Sequence, residues 1–394
     1  MQRLLISVAA AATLALTAGA TRAEDKPVVI GAVVTQSGLL ADLATDLRKA
    51  LLLWQEDVNA AGGLLGRRVE LRLADDRSEA GSVRALYEQL IRDEHADLLI
   101  GPFGSAATLG AAGAAEQHRR VLVNASGAAR AAQRADFRYV FQVPAPFGAY
   151  AAGALELARR LDYRRIVLVA RNDAIAREMA ERAQADAGAL GLQIAPLEVY
   201  RAGTHDFAPF VARARAVGAQ AWIAFGLPQD AVEMVKAFRR LDYAPAMFVA
   251  QGAADARFMA RLGQDAEHSI GITPWEQTLR TPGNARFAEG YRRKWSAEPT
   301  ALAAQGYAAG KVIEEAVRRA GTLEQEALRK AFAALRIETP LGRYEVDRSG
   351  VQLAARPSLV QIQKGRREIV WPEALATAAW QLPYPRWNER RILK

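Results

Sequence analysis

Residues 98–112 read LLIGPFGSAATLGAA, and their types suit chemistry on an anion. Leu98–Ile100 form an apolar run that ends at Gly101. Pro102, Phe103 and Gly104 make a turn, and Ser105 opens a stretch of helical composition. A helix N-terminus presents unpaired N–H groups and partial positive charge, which suit a carboxylate or a phosphate. Glycine at 101 and 104 removes the β-carbons that would hold such a group away. Ser105 can add a hydroxyl hydrogen bond. The same residues also fit a plain tight turn with Ser105 as helix N-cap, and this stretch alone leaves both readings open.

Little else in the chain has the spacing of a reactive centre. There is no cysteine, which excludes disulfides, thiolate catalysis and cysteine-ligated zinc. The four histidines, at 95, 118, 205 and 268, fall on unrelated segments without metal-ligand spacing, so no metal site is expected. GPFGS does not match the G-x-S-x-G nucleophile elbow. GPFG is not a dinucleotide fingerprint, and a P-loop lysine is absent. The expectation is a binding protein without enzymatic activity or cofactor.

Those residues must be held by the elements around them. Short apolar runs at 28–34, 69–74, 97–101 and 121–124 read as strands, and a second set falls at 165–170, 192–200, 221–226 and 246–250. Helical patterns lie between them. Leu47, Leu51, Trp54 and Val58 recur at helical spacing, and NAAGG (59–63) stops that helix. Asp206 stands as an N-cap before FAPFVARARAV, with Pro209 in the first turn. Such alternation implies βαβ units and a parallel sheet. The rhythm occurs twice, so two doubly wound α/β lobes are expected, with YVFQVPAPFGAY (139–150) crossing between them. Helical patterns follow at 283–296, 301–320 and 324–335, then strand-like segments at 342–347, 358–365 and 367–371. In open α/β sheets ligands bind beyond the carboxyl ends of the strands, and residues 98–112 lie at such an end.

Of the 394 residues, 51% are hydrophobic and 24% charged, enough apolar surface for the cores of two domains. The formal charge is +9, but the arginines interleave with acids, as in ARNDAIAREMAERAQAD. That is the pattern of solvated helix faces, and no nucleic-acid motif accompanies it. The opening MQRLLISVAAAATLALTAGATRA reads as a cleavable secretory signal, with cleavage expected after Ala23. Its apolar run of ~15 residues is shorter than the ~20 a spanning helix needs. With no cysteine to carry a lipid, the expected product is exported, soluble and periplasmic.

From about residue 27 to 371 the chain resembles the periplasmic substrate-binding proteins of the leucine/isoleucine/valine type, the receptors of ABC importers. Several segments carry the resemblance in order. They are VVIGAVVTQSGLLADLATDLRKALLLWQEDVNAAGGLLGRRVELRLADD, LLIGPFGSAAT, VLVNASGAA, AGTHDFAPFVARARAVGAQAWIAFG and GYAAGKVIEEAVRRAG. The resemblance implies a type I periplasmic binding protein: two Rossmann-like lobes joined by a three-stranded hinge. By that pattern lobe I is 24–143 plus 273–338, and lobe II is 144–272 plus 339–394. It also implies a ligand held between the lobes, hinge closure and docking of a monomer on a membrane permease.

Carried over residue by residue, the resemblance places the ligand carboxylate on Ser105 and first-loop N–H groups, Gly104 among them; Phe103 of the same loop fits either a cover over the ligand or a packed turn residue. The second loop normally adds a backbone group and a threonine; here Ala128 and Ala129 stand there, so the hydroxyl is gone. Gln251 stands where relatives hold an ammonium group on an acid, and Asp173 or Asp255 is the neighbouring source of that charge. Leu43, Ile175 and Leu227 fall near the positions of the family's aromatic rings. Two ligand classes follow. The family favours a small apolar amino acid of the branched-chain type; the missing acid and threonine favour a carboxylate without an amine, such as an aromatic acid. A periplasmic sensor subunit is a further alternative. Trp275 is expected in core or hinge packing, and the tail from Trp371 to Arg390 is expected to wrap against the second lobe.

Overall fold

The computed structural model describes residues 26–390, so the expected signal at 1–23 lies outside the described residues. From Val28 the chain runs β1 (Val28–Val34), α1 (Ala41–Ala60), β2 (Val69–Asp75), α2 (Val83–Arg92), β3 (Leu98–Gly101), α3 (Ser105–Gln117), β4 (Leu122–Asn124) and β5 (Val140–Gln142). It continues through α4 (Ala152–Arg160), β6 (Arg165–Arg171), α5 (Ala174–Ala189), β7 (Gln193–Ile194), β8 (Glu198–Tyr200), α6 (Ala208–Ala216) and β9 (Ala221–Phe225). Then come α7 (Pro228–Arg240), β10 (Met247–Ala250), α8 (Ala256–Leu262) and β11 (Ile270–Thr273). The last third holds α9 (Asn284–Trp295), α10 (Ala301–Ala320), α11 (Gln325–Ala334), the hairpin β12 (Arg336–Thr339) and β13 (Gly342–Glu345), and finally β14 (Ser358–Gln363) and β15 (Arg366–Trp371).

The first sheet has the order β2-β1-β3-β4-β5, all parallel. The second has the order β15-β14-β11-β10-β9-β6-β7, with β8 also on β6. Its β6, β9, β10 and β11 are parallel, and β14 and β15 add antiparallel. Both faces of each sheet are covered, as a parallel sheet requires. Along β6, Ile166, Leu168 and Ala170 enter one core and Val167 and Val169 the other. Along β1, Val28, Ile30, Ala32 and Val34 face one core and Val33 the opposite one. This two-sided burial is why the strands read as unbroken apolar runs. The expected two-sheet, doubly wound α/β architecture is present.

Two local expectations need correction. Residues 192–200 form two short strands, not one: β7 pairs with Arg165–Ile166 and β8 with Val169–Arg171. Pro196 lies between them and has no N–H to give the ladder. Asp206 does accept the Ala208 N–H at 3.0 Å, but the N-cap residue is Phe207, so the helix opens one residue later than the capping pattern implies.

The core of the first sheet is completed from far along the chain. Trp54 of α1 is fully buried against α10, and its Nε1 donates to Glu314 Oε1 at 2.8 Å. Gly310 faces the indole so closely that an added Cβ would stand 2.3 Å from ring carbons. Trp275 is buried and donates from Nε1 to Asn284 Oδ1 at 2.7 Å, a packing role as expected. Buried glutamines fasten the segment that leads from β13 to β14. Gln133 Nε2 donates to Ser349 O, and Gln352 N donates to Gln142 Oε1. The C-terminal tail lies along the second sheet, with Tyr384 N donating to Ala246 O and Trp387 Nε1 to Tyr243 O.

Candidate functional site

Strand order reverses once in each sheet, and crevices open beyond the carboxyl ends at such reversals. In the first sheet the reversal lies between β1 and β3, at loops 35–40 and 102–104. In the second it lies between β6 and β9, at residues 172–173 and 226–227. The expected site residues concentrate at these two places.

At the first reversal Gly101 and Gly104 have φ of 99° and 85°, the left-handed range that favours glycine. A Cβ on Gly101 would come within 3.1 Å of Val33 O, whereas one on Gly104 would meet nothing within 4 Å. Gly104, not Ser105, is the N-cap of α3, and no side chain caps that helix. The alternative of Ser105 as a cap therefore falls. Its hydroxyl instead accepts the Ala129 N–H at 3.1 Å, which leaves the Ser105 proton free to donate.

The second loop is shaped by Asn124, which is fully buried. Its Oδ1 accepts the N–H groups of Ser126 and Gly127, and its Nδ2 donates to Gly127 O. Ser126 then joins the two loops: Oγ accepts the Gly104 N–H and donates to Pro102 O, both at 2.8 Å. Ala128 is buried and Ala129 half-buried beside Ser105. Phe103 is half-buried and packs toward the first core.

The loop after β1 is tied down by the acids that end β2. Asp75 accepts from Gln36 N, Ser37 N, Ser37 Oγ and Arg77 N, and Asp76 accepts from Thr35 Oγ1. Desolvation pushes the Asp75 carboxyl up, but the Ser37 hydroxyl and the three backbone donors outweigh it and hold the pKa at about 2. A depressed carboxyl stabilises the fold above its unfolded pKa of about 4 and loses that effect as pH falls toward the folded value. The melting-temperature gap between the native protein and Asp75→Asn is therefore expected to hold at neutral pH and shrink between about pH 4 and pH 2. A gap independent of pH would contradict this. In this loop Leu39 is 93% exposed, and just beyond it Leu43 is 62% exposed.

At the second reversal Ile175 and Leu227 are 43% and 42% exposed, at the starts of α5 and α7. Gln251 follows β10 and is half-buried; a Cβ on neighbouring Gly252 would stand 2.6 Å from the Leu227 carbonyl. The two edges meet where Glu178 Oε1 accepts the Arg130 N–H at 3.0 Å, one turn along α5 from Ile175. The expected residues thus fall into a first-sheet corner (Gly104, Ser105, Ala128, Ala129), a second-sheet edge (Ile175, Leu227, Gln251) and exposed Leu43.

Asp173 and Asp255, the expected sources of a negative charge near Gln251, each also open a helix. Asp173 caps α5 through the Ile175 and Ala176 N–H groups. Asp255 caps α8 and is paired with Arg257, whose hydrogen bonds hold its carboxyl below the usual range against the opposing effect of burial. Sequence reasoning missed Asn124, Ser126, Glu178 and Arg171. An Asn two residues ahead of Ser-Gly is a signature of side-chain-directed turns and could have marked Asn124. Arg171 ends a buried strand with its guanidinium 3.4 Å from Asp173 and 3.6 Å from Asp230.

A cavity of about 1050 Å³ lies elsewhere, under the C-terminal tail near Arg239, His268 and Lys364. There Arg239 pairs with Asp265, and Arg390 stacks over Trp387 at 3.6 Å. Among the described residues no cluster of His, Asp and Glu is arranged to hold a metal, and no helix is long and apolar enough to cross a membrane.

Comparison with known proteins places these features in context. The profile of a family described as periplasmic binding protein matches residues 27–367. The Leu/Ile/Val-binding protein homolog 7 of Brucella abortus (strain 2308) is 24% identical over 411 residues, covering 97% of this chain and all of that protein. The fold is similar to that of LivJ from Streptococcus pneumoniae, a branched-chain amino acid transporter substrate binding protein solved with isoleucine. There the TM-score is 0.68 at 20% identity, over 91% of this chain and 100% of the other. A solute binding protein of an ABC transporter from R. palustris, solved with benzoate, gives the same TM-score at 19% identity, over 91% and 97%.

Proposed function

This chain belongs to the periplasmic binding protein family, and on that premise we propose that it is the soluble, periplasmic receptor of an ABC importer. It captures a small apolar carboxylate between two lobes that close by hinge motion, and presents the loaded form to a membrane permease as a monomer. It performs no chemistry on its ligand and binds no nucleic acid. The lobes divide as the family pattern implies, at about 143, 273 and 338.

The observation that carries this reading is the corner at the start of α3. The Ser105 hydroxyl, with a proton to donate, stands beside the Ala129 N–H at the positive end of a helix. At the loops of the two reversals apolar side chains are left exposed: Leu43, Ile175 and Leu227. The ligands of related proteins, isoleucine in one and benzoate in another, share a carboxylate and an apolar body. Both the branched-chain amino acid and the amine-free acid expected from the sequence fit this description.

A thermal-shift screen of the purified protein against amino acids and simple carboxylic acids tests the proposal. A ligand at 100 times its Kd stabilises the folded form by about 2.7 kcal/mol. Ser105→Ala is expected to weaken binding by about 1–3 kcal/mol, the loss of one hydrogen bond to a charged group. Unchanged affinity, measured by calorimetry, would remove Ser105 from the site.

A further inference from the structure

Resting on the receptor reading, we infer that Tyr87 and Tyr200 are positioning residues for ligand capture, each setting the point at which a crevice loop leaves its sheet without touching the ligand. At the two reversals β3 runs out at Ile100-Gly101 and β9 at Phe225-Gly226. In both places a buried tyrosine hydroxyl donates to the carbonyl ahead of the glycine. Tyr87 Oη reaches Ile100 O at 2.8 Å, and Tyr200 Oη reaches Phe225 O at a longer 3.4 Å. The glycines leave room for these hydroxyls: a Cβ on Gly226 would stand 2.1 Å from Tyr200 Oη, and one on Gly101 3.2 Å from Tyr87 Oη. Tyr87 comes from α2 and Tyr200 from the end of β8, so two different elements arrive at the same arrangement.

At the first reversal the hydroxyl ties two strands where they part. β1 and β3 pair as far as Ala32 and Ile100, and one residue on Tyr87 Oη accepts the Val33 N–H at 3.3 Å. The chain then turns directly into Gly104 and Ser105. At the second reversal Leu227 follows Gly226, and its N–H is held by Asp230 Oδ2 at 2.9 Å beside Tyr200. Burial pushes the pKa of both tyrosines up, with the charge of Asp230 adding to the effect at Tyr200, so each keeps the proton it donates. Both side chains are almost fully buried, out of a ligand's reach. A buried carbonyl or N–H that loses its partner shifts toward another one, and the loop that follows it moves too.

Tyr87→Phe and Tyr200→Phe remove the hydroxyls alone. Calorimetric titration of the purified protein with isoleucine and with benzoate is expected to show binding weakened at least about threefold in each variant, the scale of one hydrogen bond. Hydrogen exchange resolved by peptide is expected to quicken over residues 101–105 in Tyr87→Phe and over residues 226–230 in Tyr200→Phe, with the rest of each sheet as protected as in the native protein. Native affinity in either variant, or exchange that quickens evenly across the sheet, marks a merely structural hydroxyl and overturns the inference while the receptor reading stands. Silence of both probes with the native protein overturns the receptor reading and the inference with it.

Discussion

A Trp54→Ala variant is expected to lose about 3–5 kcal/mol of folding stability, the range for removing a fully buried aromatic side chain. Trp54 has no exposed surface and lies in the seam between α1 and α10. Truncation leaves a cavity there and frees Glu314 Oε1 from its indole partner. The seam is also tight on its other side. Because a Cβ on Gly310 would stand 2.3 Å from the indole, Gly310→Ala is expected to cost about 1–3 kcal/mol by overpacking. The double variant should cost less than the sum of the singles, since the new methyl group then occupies space the indole vacates. Urea unfolding followed by far-UV circular dichroism measures all three. Strict additivity would mean that the two residues do not share a contact.

Asn124→Ala is expected to cost about 2–4 kcal/mol and to weaken ligand binding more than Ser105→Ala does. One buried side chain satisfies two N–H groups and one carbonyl of the second loop. Each polar group left unpaired in the interior costs about 1–3 kcal/mol, less whatever water recovers. The effect on binding follows from position. Ala129, whose N–H meets Ser105, lies two residues beyond the Gly127 that Asn124 holds. Losing the shape of that loop moves the donor, whereas Ser105→Ala removes only a hydroxyl. Calorimetry on both variants with one ligand ranks them, and a stable Asn124→Ala protein with native affinity would contradict the role given to this residue.

The fold was legible because each strand is buried on both faces and so reads as a short apolar run between helical patterns. The break at Pro196 was missed because the flanking residues, Leu192 to Ile194 and Leu197 to Tyr200, look like one extended segment. Only the register on β6 separates them. At the site, the corner residues Gly104 and Ser105 were visible by type, since positive φ and a hydroxyl at a helix start are local properties. The link from Ser105 to Ala129 was not, because it depends on how two loops 24 residues apart are brought together. For the same reason the capping and ion-pair partners of Asp173 and Asp255 were not legible: they are set by backbone geometry that composition does not record.

The seam between α1 and α10 has a further consequence, for the order of events during biosynthesis. Residues 301–320 are synthesised some 240 residues after the helix they cover, so a nascent chain cannot bury Leu47, Leu51 and Trp54 in their final places until most of it exists. Pairings so distant in sequence form late and slowly. The first half of the chain therefore stays incompletely packed until residues 301–320 have been made, with the apolar face of α1 uncovered in the interval.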